Sequence, residues 1–150
     1  MARDDRLNEQ ILQVLAREGR IANLDLAARV GLSPSACLRR VQELERRGVV
    51  RGYRAVLDPA RRGVGFVAYI TVGLDRHDRS AQAEFERAMR AAPQVLECHN
   101  ITGTVEYLLR IEVADLPAYK HFHTEVLGAL PAVRTLTTYV VMGSPKDDRA

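Results

Sequence analysis

The sequence predicts an α+β protein in two parts. A helical domain over residues 1–50 and a βαββαβ domain over residues 65–150 flank a strand-like linker at 51–64. Two observations predict this. Apolar residues recur at helical spacing as far as Gly48, then give way to strand-like runs alternating with helices. The charge divides at nearly the same place. Residues 1–62 hold 13 arginines against 8 carboxylates, a net of +5, whereas residues 63–150 carry a net of −2. A basic part joined to a mildly acidic one suggests a polyanionic partner for the first and a different partner for the second.

The elements follow in order. Leu7, Ile11, Val14 and Leu15 form the apolar stripe of a first helix that stops before Gly19. Asn23 is the expected N-cap of a short second helix carrying Leu26, Ala27 and Val30, with Gly31 as its stop. Only "GLS" separates it from a third helix, Ser33 to Arg47, in which Ser33 caps, Pro34 takes the first helical position and Gly48 ends the run. Two short helices joined by so tight a turn make a helix-turn-helix. Cys37, Leu38, Val41 and Leu44 share the face of the third helix expected to be buried. Ser35, Arg39 and Arg46 point the opposite way, with Arg40 nearer the boundary.

After Gly48, "VVRGYRAVLD" has strand composition and forms either a small hairpin, as in a winged helix, or one extended strand leaving the domain. "DPARRGVG" has no periodicity and reads as linker. "GFVAYITVGL", Gly65 to Leu74, is a strand apolar on both faces. Ala81, Phe85, Ala88, Met89 and Ala92 mark a helix ending before Pro93. "VLECHNI" and "EYLLRIEV" are strands separated by a turn at Thr102–Gly103. Asp115 caps a helix with Leu116, Tyr119, His123, Val126, Leu127 and Leu130 along one side, and "VRTLTTYVVMG" is the last strand. That order is the ferredoxin-like arrangement, two helices over one face of an antiparallel sheet. The opposite face, to which Tyr69 and Leu109 are assigned, is left for a second subunit to cover.

Composition narrows the function. At 150 residues, 47% hydrophobic and 27% charged, the chain is globular in type. No apolar run approaches a membrane span, "MARDDRLNEQ" is too polar for a signal peptide, and a cytoplasmic, nucleoid-associated location is expected. Cys37 and Cys98 lie far apart and read as two buried, reduced thiols.

"GRIANLDLAARVGLSPSACLRRVQELERRGVVRGYRA", "ECHNITGTVEYLLRIEV" and "LPAVRTLTTYVVM" together resemble the Lrp/AsnC (leucine-responsive, feast/famine) transcription regulators over nearly the whole chain. The resemblance implies that the third helix enters the major groove of double-stranded DNA. Ser35 and Arg39, early on its outward face, are then the base-reading candidates. Arg40, Arg46 and Arg47 are assigned to phosphates, and Ser33 and Asn23 to offering helix N-terminal amides.

The resemblance further implies an amino-acid or related metabolite effector bound between subunits. Asn100, Thr102, Gly103, Thr104 and Glu106 around the turn, with Tyr139, Val140 and Val141 of the last strand, are carried over as its contacts. Many members have Asp directly after the turn glycine, where this sequence has Thr104, which implies either an effector other than the family's usual ones or Glu106 as the holder of the ligand ammonium. A homo-oligomer follows, a dimer at least, with tetramers and octamers as larger assemblies open to it. No resident cofactor is expected.

Two rival readings remain. A metal enzyme would use His121 with His123 or Cys98 with His99. Two residues apart on a helix, the first pair points in opposed directions, and neighbours on a strand alternate faces. No nucleophile triad, phosphate loop or carboxylate pair is present, so no enzyme is expected. The closer rival is a ligand-independent architectural DNA binder.

Overall fold

The computed structural model describes residues 2–76 and 78–147. The chain divides into two compact units, Met1–Val56 and Leu57–Ala150, with the division falling inside the 51–64 segment.

The first unit is three helices, α1 (Ala2–Arg17), α2 (Asn23–Val30) and α3 (Pro34–Arg46). Ile11, Leu26, Ala27, Val30, Cys37 and Leu44 are buried at their meeting point. Burial pushes the Cys37 thiol pKa up, as expected for a thiol that serves as a small hydrophobe. Ser33 caps α3 through its Oγ, which accepts the Ala36 N–H at 3.3 Å, and Pro34 follows it. At the other end Gly48 adopts φ +70°, the Val49 N–H reaches Leu44 O at 2.9 Å, and the Gly48 N–H reaches Glu45 O at 2.9 Å. These two bonds satisfy carbonyls that the helix end would leave open.

Three details differ from the sequence reading. Ala22, not Asn23, is the N-cap of α2, and it makes no side-chain cap bond. Asn23 lies one step inside the helix and its Nδ2 donates to Pro34 O at 2.9 Å, so its polar group joins α2 to the start of α3. Leu38 is 46% exposed, because α3 is packed along the narrower line of Cys37, Val41 and Leu44. Residues 49–58 form no strand. No backbone hydrogen bond joins residues 51–58 to one another or to another strand among the described residues, so neither the hairpin nor a paired extended strand forms.

The second unit holds β1 (Phe66–Leu74), α4 (Arg79–Ala91), β2 (Val95–Asn100), β3 (Tyr107–Val113), α5 (Leu116–His121) continuing as a π-helical turn (Phe122–Leu127), and β4 (Val133–Val140). The strands form one antiparallel sheet in the order β2-β3-β1-β4, the predicted ferredoxin-like topology. Asp78 and Asp115 cap α4 and α5, accepting the Ala81 N–H at 2.9 Å and the Ala118 N–H at 2.8 Å. The core joins Ala68, Ile70, Val72 and Leu74 to Phe85, Met89, Tyr107, Leu109, Ile111, Phe122 and Leu127.

Strand pairing corrects the assignment of Leu109. It lies opposite Ile70 in the ladder, and opposed residues share a face, so Leu109 is buried beneath the helices. The face without helices carries Val67, Tyr69 and Thr71 with their partners Glu112, Arg110 and Leu108, and Thr137 and Tyr139 on β4. The last helix also departs from its reading. The Gly128 N–H reaches back five residues to His123 O at 2.9 Å, which widens the turn. That shift buries Phe122 together with Leu127 and leaves Leu116 62% exposed. His123 is half-buried with its ring 5.8 Å from that of Tyr119, and His121 is exposed. Cys98, expected to be buried, is exposed because β2 is an edge strand.

Candidate functional site

The surface of α3 is built by its caps and by the ties behind it. Asn23 fixes its first turn, and the Arg29–Glu18 ion pair joins α2 to the end of α1, with one of its contacts at 2.9 Å. Ser35 and Arg39 stand exposed on the outward side. Arg39 and Arg47 make no ion pair or hydrogen bond among the described residues. A fixed helix presenting an unpaired guanidinium and a hydroxyl is well suited to reading base edges, and Arg offers two parallel donors to guanine.

The remaining predicted residues divide. Arg40 is half-buried and its Nη1 donates to Asn8 Oδ1 at 3.1 Å, which commits it to holding α3 against α1. Arg46 donates to both oxygens of Glu43, at 2.8 and 2.6 Å, and this pairing holds the Glu43 carboxyl below the usual carboxylate range. Ser33 spends its oxygen on the cap, with the Ser35 hydroxyl 3.3 Å away. Of the four arginines named from the sequence, Arg39 and Arg47 are the two left to engage phosphate or base without first exchanging a partner.

The candidate effector residues do not come together in one protomer. Tyr107, which closes the β2–β3 turn, pairs with Val72, whereas Val140 pairs with Ala68. Those positions lie four steps apart along β1, about 13 Å of strand. Tyr139, Val140 and Val141 therefore lie at the opposite end of the sheet from Thr102, Gly103, Thr104 and Glu106. A site using both groups must draw them from different copies.

The turn end has its own chemistry. Glu106 is half-buried and its Oε2 accepts the Leu74 N–H at 2.7 Å, so the carboxylate already closes the end of β1. Gly103 has φ +132°, a backbone angle that side chains disfavour, and the space beside its Cα is open. Thr102 and Thr104 are exposed. Asn100 turns instead toward the helices, where it shares a pocket with Glu86, Arg90, Cys98 and Tyr107. The Tyr107 hydroxyl donates to Glu86 Oε1 there at 3.0 Å. Sequence reasoning missed Gly73 and Thr135, which meet at this end of the sheet with Glu106 close by. Their meeting follows from the β1–β4 register, for which no local motif exists.

Comparison with known proteins decides the affiliation. The profile of the Lrp/AsnC ligand binding domain matches residues 67–150, and that of the winged helix-turn-helix DNA-binding domain matches residues 4–51. The chain belongs to the Lrp/AsnC family. The leucine-responsive regulatory protein of Escherichia coli K12 is 39% identical over 142 residues, covering 95% of this chain and 87% of that protein. Among solved structures, a Neisseria meningitidis transcriptional regulator in complex with L-Met superposes with a TM-score of 0.90 at 38% identity, covering 94% of this chain and 91% of that one. An AsnC family transcriptional regulator from Agrobacterium tumefaciens gives 0.89 at 31% identity, with 95% and 92% covered. As an Lrp/AsnC protein the chain is a DNA-binding transcriptional regulator with a ligand-binding domain. Among the described residues no helix is long and apolar enough to cross a membrane.

Proposed function

We propose that this Lrp/AsnC regulator reads DNA with Ser35 and Arg39, holds phosphate with Arg47, and adjusts its DNA binding to an amino acid bound where copies of the chain meet. It acts by binding and not by catalysis. The observation carrying the DNA reading is the exposed, unpaired Arg39 beside Ser35 on a helix fixed at both ends. The effector class is supported by two relatives, a leucine-responsive protein and one solved with L-Met, which point to an amino acid with an apolar side chain. A binding place between copies is supported by the separation of the turn from Tyr139, Val140 and Val141. A second copy is also the natural cover for the sheet face that lacks helices, where Tyr139 is 57% exposed.

The test uses duplexes selected by the protein from a random pool, titrated beside scrambled duplexes at several salt concentrations. Arg39→Ala is expected to lose about 1–3 kcal/mol of discrimination between the two sets. Arg47→Ala is expected to weaken both alike and to lower the salt slope by about 1. Equal losses on both sets for Arg39→Ala would remove it from base reading.

A further inference from the structure

One side chain breaks the polar pattern on the outward face of α3. Leu38 is 46% exposed and stands outside the core cluster around Cys37 and Leu44, which takes in Val41 but not Leu38. At 3.6 residues per turn, Leu38, Gln42, Ser35, Arg46 and Arg39 fall in that order within a sector of about 100°, away from Cys37 and Leu44. All five are exposed. Four are polar, and Leu38, at the edge of the sector, is the apolar member. The Arg39 and Gln42 side chains make no hydrogen bond or ion pair among the described residues.

A lone exposed leucine on a protein surface is ordinary. The place of this one is not. Leu38 follows Ser35 by three positions and precedes Gln42 by four, so it neighbours both on the helix surface. It lies in the first half of α3, and a helical side chain leans toward the helix N-terminus, the end of a recognition helix that reaches base edges. Residues 1–62 carry a net charge of +5, which favours a polyanion against this face over an apolar protein surface. Its polar neighbours can meet the donors and acceptors of base edges, whereas leucine has neither to offer. In the major groove the apolar group on a base edge is the C5 methyl of thymine, so only A·T and T·A pairs give Leu38 a partner. Phosphate gives it none.

We propose that Leu38 packs against the methyl group of a thymine in the major groove, adding an A·T preference to the base reading by Ser35 and Arg39. This rests on the reading that α3 enters that groove. Burying one methyl-sized group is worth about fourfold in affinity. An assembly that engages two half-sites gains the factor at each. The same contact accounts for a leucine held outside the core, since its apolar surface is covered only when DNA is bound.

The experiment uses the full chain and duplexes that it selects from a random pool. Each thymine of the selected half-site is replaced singly by uracil, which lacks only the C5 methyl. Wild type is expected to lose about fourfold at one thymine position for each half-site altered. Leu38→Ala is expected to bind the thymine and uracil duplexes alike at that position. Leu38→Met, which restores an apolar side chain of similar reach, should distinguish them again. Each ratio is taken within one protein, so a change in folding or in phosphate affinity cancels. An equal uracil penalty in wild type and Leu38→Ala would assign the methyl to another residue and overturn the contact. Wild-type binding unchanged by every uracil, or selected half-sites with no fixed A·T pair, would do the same. Arg39→Ala separates this contact from the reading beneath it. If Arg39→Ala loses discrimination while uracil has no effect, only the role of Leu38 falls; if the pool yields no preferred sequence, base reading by α3 falls and Leu38 with it.

Discussion

Arg46 and Arg47 adjoin in sequence at the end of one helix, yet only Arg46 is held by a carboxylate, that of Glu43. Glu43→Gln should release Arg46 and raise affinity for every duplex, with a salt slope steeper by about 1. Unchanged binding across salt concentrations would show that Arg46 does not approach phosphate. Glu106 poses a sharper question, because one carboxylate serves both the fold and the proposed ligand. Glu106→Gln retains an oxygen for the Leu74 N–H and should keep the melting temperature while losing amino-acid affinity. Glu106→Ala strands that half-buried N–H and should cost about 1–2 kcal/mol of stability. Equal thermal unfolding of the two variants would mean that the Leu74 contact contributes nothing. Asp78 carries a pH signature. The Arg76 guanidinium beside it, joined by the Ala81 N–H, holds its pKa at about 2 against an ordinary 3.8. Its folded value is depressed, so its contribution is present above pH 3.8 and is lost as pH falls through about 2. The urea midpoints of the wild type and Asp78→Asn should converge over that interval, and a constant gap would contradict the pairing.

Element by element, the legible parts were those written in adjacent residues. Ser33-Pro34, Asp115 and Gly48 each announce a helix boundary through local chemistry, and each lies where that chemistry requires. What escaped needs knowledge of a partner. The face occupied by Leu109 depends on pairing parity with Ile70, and the burial of Phe122 depends on one widened turn. Leu38 followed the helical stripe and still faces solvent, because three short helices cover only a narrow line of α3. For the site, the residue types around α3 were readable, whereas the commitment of Arg40 to Asn8 spans 32 positions and was not. The widened turn makes a stability prediction. Phe122→Ala should cost about 3–5 kcal/mol in chemical denaturation, while Leu116→Ala should stay within about 0.5 kcal/mol. The reverse order would restore the regular helix read from the sequence. Gly65 is similarly exacting, since a Cβ there would stand 2.5 Å from the Ala114 carbonyl oxygen. Gly65→Ala should destabilise the second unit by about 1–3 kcal/mol, whereas Gly143→Ala, facing open space, should be near neutral.

At the scale of the whole molecule, the two parts carry opposite charge balances, and on the proposed reading the ligand would reach DNA through how copies assemble. Binding free energy can shift an equilibrium only by the difference in affinity for its two states, so the effector's leverage on DNA is about 1–3 kcal/mol. The same coupling runs backwards, and selected duplex must change the protein's affinity for its amino acid by the same factor. The most direct test titrates the selected duplex against full-length protein in the presence of each of the twenty amino acids, while sedimentation follows the oligomer distribution in the same samples. The account predicts that at least one amino acid, with an apolar side chain, shifts operator affinity and oligomer distribution together, and that Glu106→Gln blunts both shifts. If none of the twenty changes either quantity, the protein is a ligand-independent DNA binder and the account of its second unit is wrong.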